Sequence, residues 1–134
     1  MIVCENAWPP KDSQTPSKVY KSKLTAYASE AALSEAIIKK LNAMPQTICQ
    51  KIHGSAYGKA TLDIVGAHKG MMFWLEVKQP GKKPTLRQFN TMKKWIAAGA
   101  AASWTTTVSG AIDFVNSDAF LNNNEEKLLE GFHG

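Results

Sequence analysis

The sequence predicts an α/β fold in which a mixed β-sheet is flanked by helices. Three features indicate this class: an amphipathic helical segment, three strand-like segments after it, and a second amphipathic segment followed by another strand. The order is therefore α-β-β-β-α-β, with a further helix after the last strand. With 134 residues, of which 44% are hydrophobic, the chain is long enough for one domain with a buried core.

The predicted helices span residues 29–44, 85–98 and 111–121. Apolar residues recur every three or four positions in the first two, which is the period of a helix with one buried face. They are Leu33, Ile37, Ile38, Leu41 and Met44 in the first helix, and Leu86, Phe89, Met92 and Ile96 in the second. Pro45 follows the first helix, and Gly99 suits the C-cap of the second.

Four strands are predicted, at residues 46–53, 61–67, 71–78 and 102–108. If Lys69-Gly70 is a two-residue turn between the second and third strands, Asp63 lies opposite Glu76, with Cβ atoms about 5 Å apart. Because side chains alternate along a strand, Lys78 shares a face with Glu76. The opposite face is apolar and is predicted to form the core: it carries Leu62, Ile64, Phe73, Leu75 and Val77.

The net charge of +5 is unevenly distributed along the chain. Residues 1–100 contain 15 of the 16 Lys and Arg residues and 6 of the 11 acids, whereas residues 101–134 contain one Lys and 5 acids. Excess positive charge suits a polyanion such as nucleic acid, because each neutralised phosphate releases counterions. Solubility alone would explain the excess equally well. Arg87 is the only arginine, which favours contacts to a nucleic-acid backbone over bidentate reading of bases.

Two carboxylates that face each other in a sheet repel, so the predicted pair of Asp63 and Glu76 needs a stabilising partner. A divalent cation is one such partner, because carboxylate oxygens, water and phosphate form the usual ligand shell of Mg²⁺ or Mn²⁺. Lys78 would then stabilise negative charge developing on a phosphate, or orient the attacking water. The alternative is a surface ion pair of Lys78 with one of the acids, which contributes at most about 1 kcal/mol.

Two further polar residues have both a functional and a structural interpretation. Glu30 falls on the core-facing arc of the first helix, where a carboxylate is costly unless it is paired or bound to a metal. It could instead compensate the helix dipole after a Ser29 cap, while Glu35 points to solvent. Gln88 could bond active-site water or phosphate, but it also completes a capping box with Thr85.

Several cations are candidates for contacts with the DNA backbone. Lys82, Lys83 and Arg87 surround the start of the second predicted helix, where backbone amides also favour phosphate. The alternative for them is a solvated loop. Lys51 and Lys59 precede the acid pair in the sequence and are placed in the same group.

The remaining features concern the termini and the compartment. Residues 1–25 mix Pro, Ser, Lys and Thr without periodicity and are interpreted as a flexible tail, followed by one domain over residues 26–134 with an acidic helical end. No basic and apolar leader is apparent, and the longest small-apolar run, residues 96–102, is far too short to cross a membrane. Two cysteines without metal-type spacing favour a reducing cytoplasm.

Taken in order, several segments resemble one known family. They are Ser29-Glu30-x-x-Leu33 with Ile37, Ile38 and Leu41; Asp63-Ile64-Val65; Trp74-Leu75-Glu76-Val77-Lys78; Gly81-Lys82-Lys83-Pro84-Thr85-x-x-Gln88; and Ala98-Gly99. The set, which covers about residues 29–115, is similar to the VRR-NUC family of the PD-(D/E)XK nuclease superfamily, in particular to its small stand-alone phage-type members. One departure is Ala60-Thr61-Leu62 before Asp63, where such families usually have Gly-x-Pro.

The resemblance implies a restriction-endonuclease-like αβββαβ core and Mg²⁺- or Mn²⁺-dependent hydrolysis of phosphodiester bonds. It also implies a homodimer that acts on branched DNA such as four-way junctions or flaps, in a host cytoplasm if the chain is phage-encoded. By position, the metal-binding and catalytic residues are Asp63, Glu76, the carbonyl of Val77, Lys78, the helical acid Glu30, and Gln88.

Three hypotheses follow from these observations. The leading hypothesis is a metal-dependent DNA endonuclease that is selective for branched structures. The second is a non-catalytic nucleic-acid-binding module on a nuclease-like fold, and the third is an interaction protein whose acids and Lys78 form surface pairs. The first predicts binding of both DNA and a divalent ion, the second predicts binding of DNA that is indifferent to metal, and the third predicts no affinity for DNA.

Overall fold

The computed structural model describes residues 27–52 and 62–134 of the chain. These two ranges contain five helices and four strands. In chain order they are α1 (Glu30–Asn42), β1 (Thr47–Lys51), β2 (Ile64–His68), β3 (Met71–Val77), α2 (Leu86–Ala97), β4 (Ala101–Thr105), α3 (Val108–Asn116), α4 (Asp118–Asn122) and α5 (Glu125–Glu130). The predicted tail over residues 1–25 and the predicted loop at residues 54–58 lie outside the described residues.

The four strands form one mixed sheet in the order β1-β2-β3-β4. The first two pairings are antiparallel, and β3 pairs with β4 in parallel. The mixed sheet and the αβββαβ order are therefore confirmed. The register between β2 and β3 is also as predicted, because His68 pairs with Met71 and Ile64 with Leu75. Lys69 and Gly70 between them have φ angles of 51° and 85°, and positive φ at both central residues is typical of a tight hairpin turn.

Helices cover both faces of the sheet near β3. On the predicted core face, Phe73 is fully buried and makes edge-to-face contacts with Phe114 of α3 at 5.8 Å and Phe120 of α4 at 6.0 Å. On the other face, the ring of Trp74 lies 4.9 Å from the ring of Trp95 in α2. The residues predicted for the core face, Leu62, Ile64, Phe73, Leu75 and Val77, are all buried.

The first two helices begin at the predicted caps. The Ser29 hydroxyl accepts a hydrogen bond from the Ala32 N–H at 3.0 Å, and Thr85 and Gln88 form a complete capping box. Each cap satisfies a backbone donor that the first helical turn leaves free. Glu35 is exposed on the outer face of α1, as predicted from the helical period.

The prediction of one last helix over residues 111–121 is wrong. The structure has α3, α4 and α5 in this part of the chain, and α3 begins at Val108 because Thr107 caps it. Ser117 separates α3 from α4: its backbone is extended, and its hydroxyl accepts a hydrogen bond from the Phe120 N–H at 3.1 Å. Serine competes for backbone donors in this way, so it favours the start of a new helix over the middle of a long one. Among the described residues, no helix combines the length and apolarity that a membrane crossing requires.

Candidate active site

The candidate site is centred on Glu76, near the end of β3. Only 2% of this residue is exposed, although its carboxylate is an ionisable group. Its Oε2 accepts a hydrogen bond from Gln88 Nε2 at 2.8 Å, and Lys78 Nζ lies 3.5 Å from the same oxygen. Its Oε1 is buried without a hydrogen-bond partner among the described residues. One oxygen of the carboxylate is therefore held in place by the protein, whereas the other is enclosed without a polar partner.

Asp63 immediately precedes β2 and reaches the end of β3. Its Oδ2 accepts a hydrogen bond from the Val77 N–H at 3.0 Å, and its own carbonyl accepts one from the Ile52 N–H at 2.8 Å. Because Val77 follows Glu76, the Asp63 carboxylate is fixed beside the strand that carries the second acid. The cross-strand pairing predicted from the turn thus brings the two acids to the same end of the hairpin.

The two acids share a poorly solvated environment, and each is harder to ionise than in water. The pKa of Glu76 is raised to about 8, first by burial and then by the negative charge of Asp63, while Lys78 acts in the opposite direction. Burial also raises the pKa of Asp63, against the lowering effect of its bond to Val77 and of the charge on Lys51. A positive ligand between the acids would relieve both penalties.

Glu30 joins the first turn of α1 to the chain that follows β3. Its Oε2 accepts a hydrogen bond from the Gln79 N–H at 3.3 Å, and the residue is half-buried. Its negative charge raises the pKa values of both Asp63 and Glu76, so it lies near enough to act on them. Glu30 occupies the first turn of α1, as the dipole interpretation requires, and its bond to Gln79 places a third acid beside the pair.

Gln88 performs the capping role that the sequence indicated, and it also contacts the candidate site by bonding Glu76, a partner that the sequence did not indicate. Its Oε1 accepts a hydrogen bond from the Thr85 N–H at 2.9 Å, which completes the capping box of α2. Its Nε2 donates to Glu76 Oε2, as described above. A single amide therefore fixes the start of α2 to the central carboxylate.

The predicted phosphate contacts are placed in two groups. Lys82, Lys83 and Arg87 are exposed around the start of α2, and Gln88 of the same turn contacts the central carboxylate. Lys51 ends β1, near enough for its charge to lower the pKa of Asp63. Lys59 lies outside the described residues.

The donor set fits a divalent cation, although it is not closed around one. Within residues 27–52 and 62–134, no group of three His, Cys, Asp or Glu side chains is arranged to hold a metal by itself. The buried, unpartnered Oε1 of Glu76 is the observation that favours a cation, because an orphan carboxylate oxygen in the interior needs a positive partner. A hard ion that keeps water and substrate phosphate among its ligands would not require a closed protein cage.

Two contacts around the site carried no usable signal in the sequence. Gln79, whose backbone N–H donates to the Glu30 carboxylate, is an ordinary residue before a proline. Trp104 of β4 pairs in register with Glu76 and is 5% exposed, but a tryptophan in a strand reads as a packing residue. Only the parallel pairing of β3 with β4 brings Trp104 to the site.

The sequence and the structure of the chain were compared with those of known proteins. Neither a protein-family model nor a curated protein sequence matches the chain. A solved structure described as a VRR_NUC domain matches with a TM-score of 0.56 and 14% identity, and the match covers 66% of this chain and 96% of that one. The chain therefore has a nuclease-like α/β fold. The fold is that of a VRR_NUC domain, so the resemblance found in the sequence motifs is confirmed at the level of fold.

Proposed function

We propose that this protein is an endonuclease that hydrolyses phosphodiester bonds in DNA with the aid of Mg²⁺ or Mn²⁺. The observation that carries the proposal is the buried Glu76 carboxylate, which has one oxygen held by Gln88 and Lys78 and the other without a partner. It lies beside Asp63 at the end of the hairpin of a nuclease-like fold. Such a carboxylate is unfavourable for stability by itself, and perturbed acids of this kind concentrate at functional sites.

Asp63, Glu76 and the Val77 carbonyl are the groups that would hold the ion. A divalent ion bound there would polarise the scissile phosphate and make a water more acidic. Lys78 Nζ lies 3.5 Å from Glu76 Oε2. Its positive charge would stabilise the negative charge that develops on the phosphate. Gln88 fixes the orientation of Glu76, and Glu30 adds negative charge at the same site.

The exposed cations define the proposed substrate surface. Lys82, Lys83 and Arg87 project around the start of α2 and would contact the backbone on one side of the scissile phosphate, with Lys51 beside Asp63. Contacts of this kind position DNA without reading its sequence. We propose branched DNA, such as a four-way junction or a flap, as the preferred substrate and a homodimer as the acting form. Sedimentation equilibrium tests the dimer independently of cleavage.

The direct test is a cleavage panel of linear, nicked, flap and four-way DNA of matched sequence, with Mg²⁺, with Mn²⁺ and with chelator. We expect metal-dependent cuts, with the branched substrates cut fastest. Glu76→Gln and Lys78→Met should abolish cleavage while the circular-dichroism spectrum stays native. Glu35→Gln, which removes an exposed acid, is the matched control. Equal cleavage by all four proteins would contradict the assignment.

The second candidate is a nucleic-acid-binding module that has the fold without the chemistry. The exposed Lys82, Lys83 and Arg87 favour it, because contacts of cations with a nucleic-acid backbone need neither acids nor a metal. It predicts salt-dependent DNA binding that does not respond to divalent ions or to replacement of Asp63 and Glu76. Calorimetric titration with Mn²⁺ separates the two candidates, because only the enzyme should bind the ion through these acids.

A further inference from the structure

The C-terminal segment, defined as residues 125–134, docks along the outer edge of β4. Ser103 Oγ donates to the Leu128 carbonyl at 2.6 Å, and Trp104 Nε1 donates to the Leu129 carbonyl at 3.0 Å. The Phe132 N–H donates to the Trp104 carbonyl at 2.9 Å, next to a parallel bridge between Phe132 and Thr105. The segment thus adds a short piece of parallel pairing to the edge of the sheet.

Trp104 connects this segment with the candidate site. It pairs in register with Glu76 of β3, and side chains at paired positions of neighbouring strands lie on the same face of a sheet. Its ring makes an edge-to-face contact with Phe89 at 6.3 Å, and Phe89 follows Gln88 in the first turns of α2. The same ring lies 4.5 Å from the ring of His133. One indole therefore contacts both the C-terminal segment and the helix that supplies Gln88.

We propose that Trp104 is a positioning residue: the C-terminal segment fixes its indole, and the indole holds the start of α2 so that Gln88 meets Glu76. This inference rests on the proposed function for its catalytic consequence, but the positioning itself can be measured without DNA. The physical reason is that a hydrogen bond of 2.8 Å between Gln88 and Glu76 is lost when the helix shifts by about 1 Å, and Phe89, one residue further on, is packed against Trp104. A shift of the indole must move Phe89 or open a gap beneath it.

Two glycines provide a test of this contact. Gly131 has a φ angle of 83°, and a Cβ atom there would lie 2.6 Å from Cε2 and Nε1 of Trp104, so alanine must displace the indole. Gly70, in the turn between β2 and β3, has a φ angle of 85° and would place its Cβ in open space. Alanine is strained at both positions because φ is positive, and the strain is larger at Gly131, whose ψ of 172° lies in a region essentially reserved for glycine. The two variants therefore differ in the contact with Trp104 and in this strain.

The experiment compares Gly131→Ala, Gly70→Ala and the parent protein by ¹H–¹⁵N NMR and by cleavage of a branched substrate. We expect the side-chain amide protons of Gln88, assigned with Gln88→Met, to move towards their free-glutamine positions in Gly131→Ala and to stay in place in Gly70→Ala. We expect kcat to fall by on the order of tenfold to a hundredfold in Gly131→Ala, with KM for DNA little changed. If Trp104 acts on stability alone, kcat should fall in each variant in proportion to its loss of thermal stability. The Gln88 resonances should then stay in place.

Unchanged Gln88 resonances in a folded Gly131→Ala protein, with the Trp104 indole resonance shifted, would overturn the inference. Trp104→Phe is measured beside Gly131→Ala, and replaces it if that protein does not fold. It adds no backbone strain, removes the donor to the Leu129 carbonyl and retains an aromatic ring. The side-chain amide resonances of Gln88 should again shift in this variant. Unshifted resonances would overturn the inference here too. If the parent protein cleaves no DNA, the proposed function is refuted. If the Gln88 resonances of the variants still move as expected, the positioning role remains supported.

Discussion

Gln88 Nε2 lies 2.8 Å from Glu76 Oε2, while the other end of the same amide accepts the Thr85 N–H at 2.9 Å. The helix cap and the buried carboxylate are therefore connected by one side chain. This arrangement lets the fold hold one oxygen of Glu76 by contacts that do not depend on any ligand.

Replacing Gln88 with Glu should separate the two roles. A glutamate can still accept from the Thr85 N–H, but it places a second carboxylate against Glu76 instead of a donor. We expect cleavage to fall about ten- to a hundredfold, the range that corresponds to losing a hydrogen bond to a charged group. Thr85→Ala is the converse control, since it should cost about 1 kcal/mol of stability and leave most of the cleavage rate. Urea denaturation and single-turnover cleavage check both variants.

Glu76→Gln should stabilise the protein in the absence of metal and remove its response to metal. The parent buries an acid with an unpartnered oxygen, and above its pKa of about 8 the ionised carboxylate is more costly to desolvate than a neutral amide, so the comparison is made at about pH 8.5 to 9. With Mn²⁺ at about one hundred times its Kd, the parent should gain between 2 and 3 kcal/mol, roughly the linkage value for ligand binding to the folded state. Thermal denaturation with and without Mn²⁺ measures both effects. If Mn²⁺ raises the free energy of unfolding of Glu76→Gln as much as that of the parent, the ion binds at another site.

Removing the cations at the start of α2 should weaken DNA binding in a salt-dependent way. In the triple variant with Gln at Lys82, Lys83 and Arg87, we expect the slope of log K against log salt to become shallower by up to about three. The triple variant with Gln at Lys39, Lys40 and Lys94, all exposed in the last turns of α1 and α2, removes the same number of charges and controls for net charge. Fluorescence anisotropy at several salt concentrations, with catalysis blocked by chelator, gives the slopes. Equal slopes in the two variants would indicate a general charge effect.

His68 should make stability fall as the solution becomes acidic. It is 3% exposed, its Nδ1 lies 2.7 Å from Thr47 Oγ1, and its pKa is lowered by burial and by the charge of Lys69. The unfolded chain takes up the proton more readily, so the contribution is complete above about pH 6.5 and is lost as the pH falls through the folded value.

The measurement for His68 is urea denaturation of the parent and of His68→Gln across pH 5 to 8. The difference between the two proteins isolates this residue, because other groups contribute equally to both. We expect the parent to lose more stability than the variant between pH 7 and pH 5. Parallel curves would show that protonation of His68 is not coupled to unfolding.

The sheet was predictable because its signals are local. The tight turn at Lys69-Gly70 and the alternation of buried residues specify one register, since a slip by one residue would turn Phe73 and Leu75 to the other face. The same register places Asp63 and Glu76 at one end of the hairpin. Ser29 and Thr85 cap helices through contacts within three residues, and such contacts can be read without knowledge of the fold.

The end of the chain was less predictable because its signals compete. Apolar residues continue at helical spacing through Ser117, and only the bond from Phe120 shows that the serine begins a new helix. The docking of residues 125–134 on β4 depends on the edge that the parallel pairing leaves open. That edge exists only once the sheet has formed.

By itself, the sequence determined the order of elements through β4, the hairpin register, the core face and the caps of α1 and α2, because each depends on periodicity or on bonds between near neighbours. The tertiary structure decided that Gln88 both caps α2 and holds Glu76, that Glu30 bonds Gln79, and that Trp104 contacts Phe89 and the C-terminal segment. These contacts join residues that are far apart in the chain or have two local interpretations. Only packing of the helices on the sheet fixes such pairs, because a side chain's local propensity does not specify its distant partner.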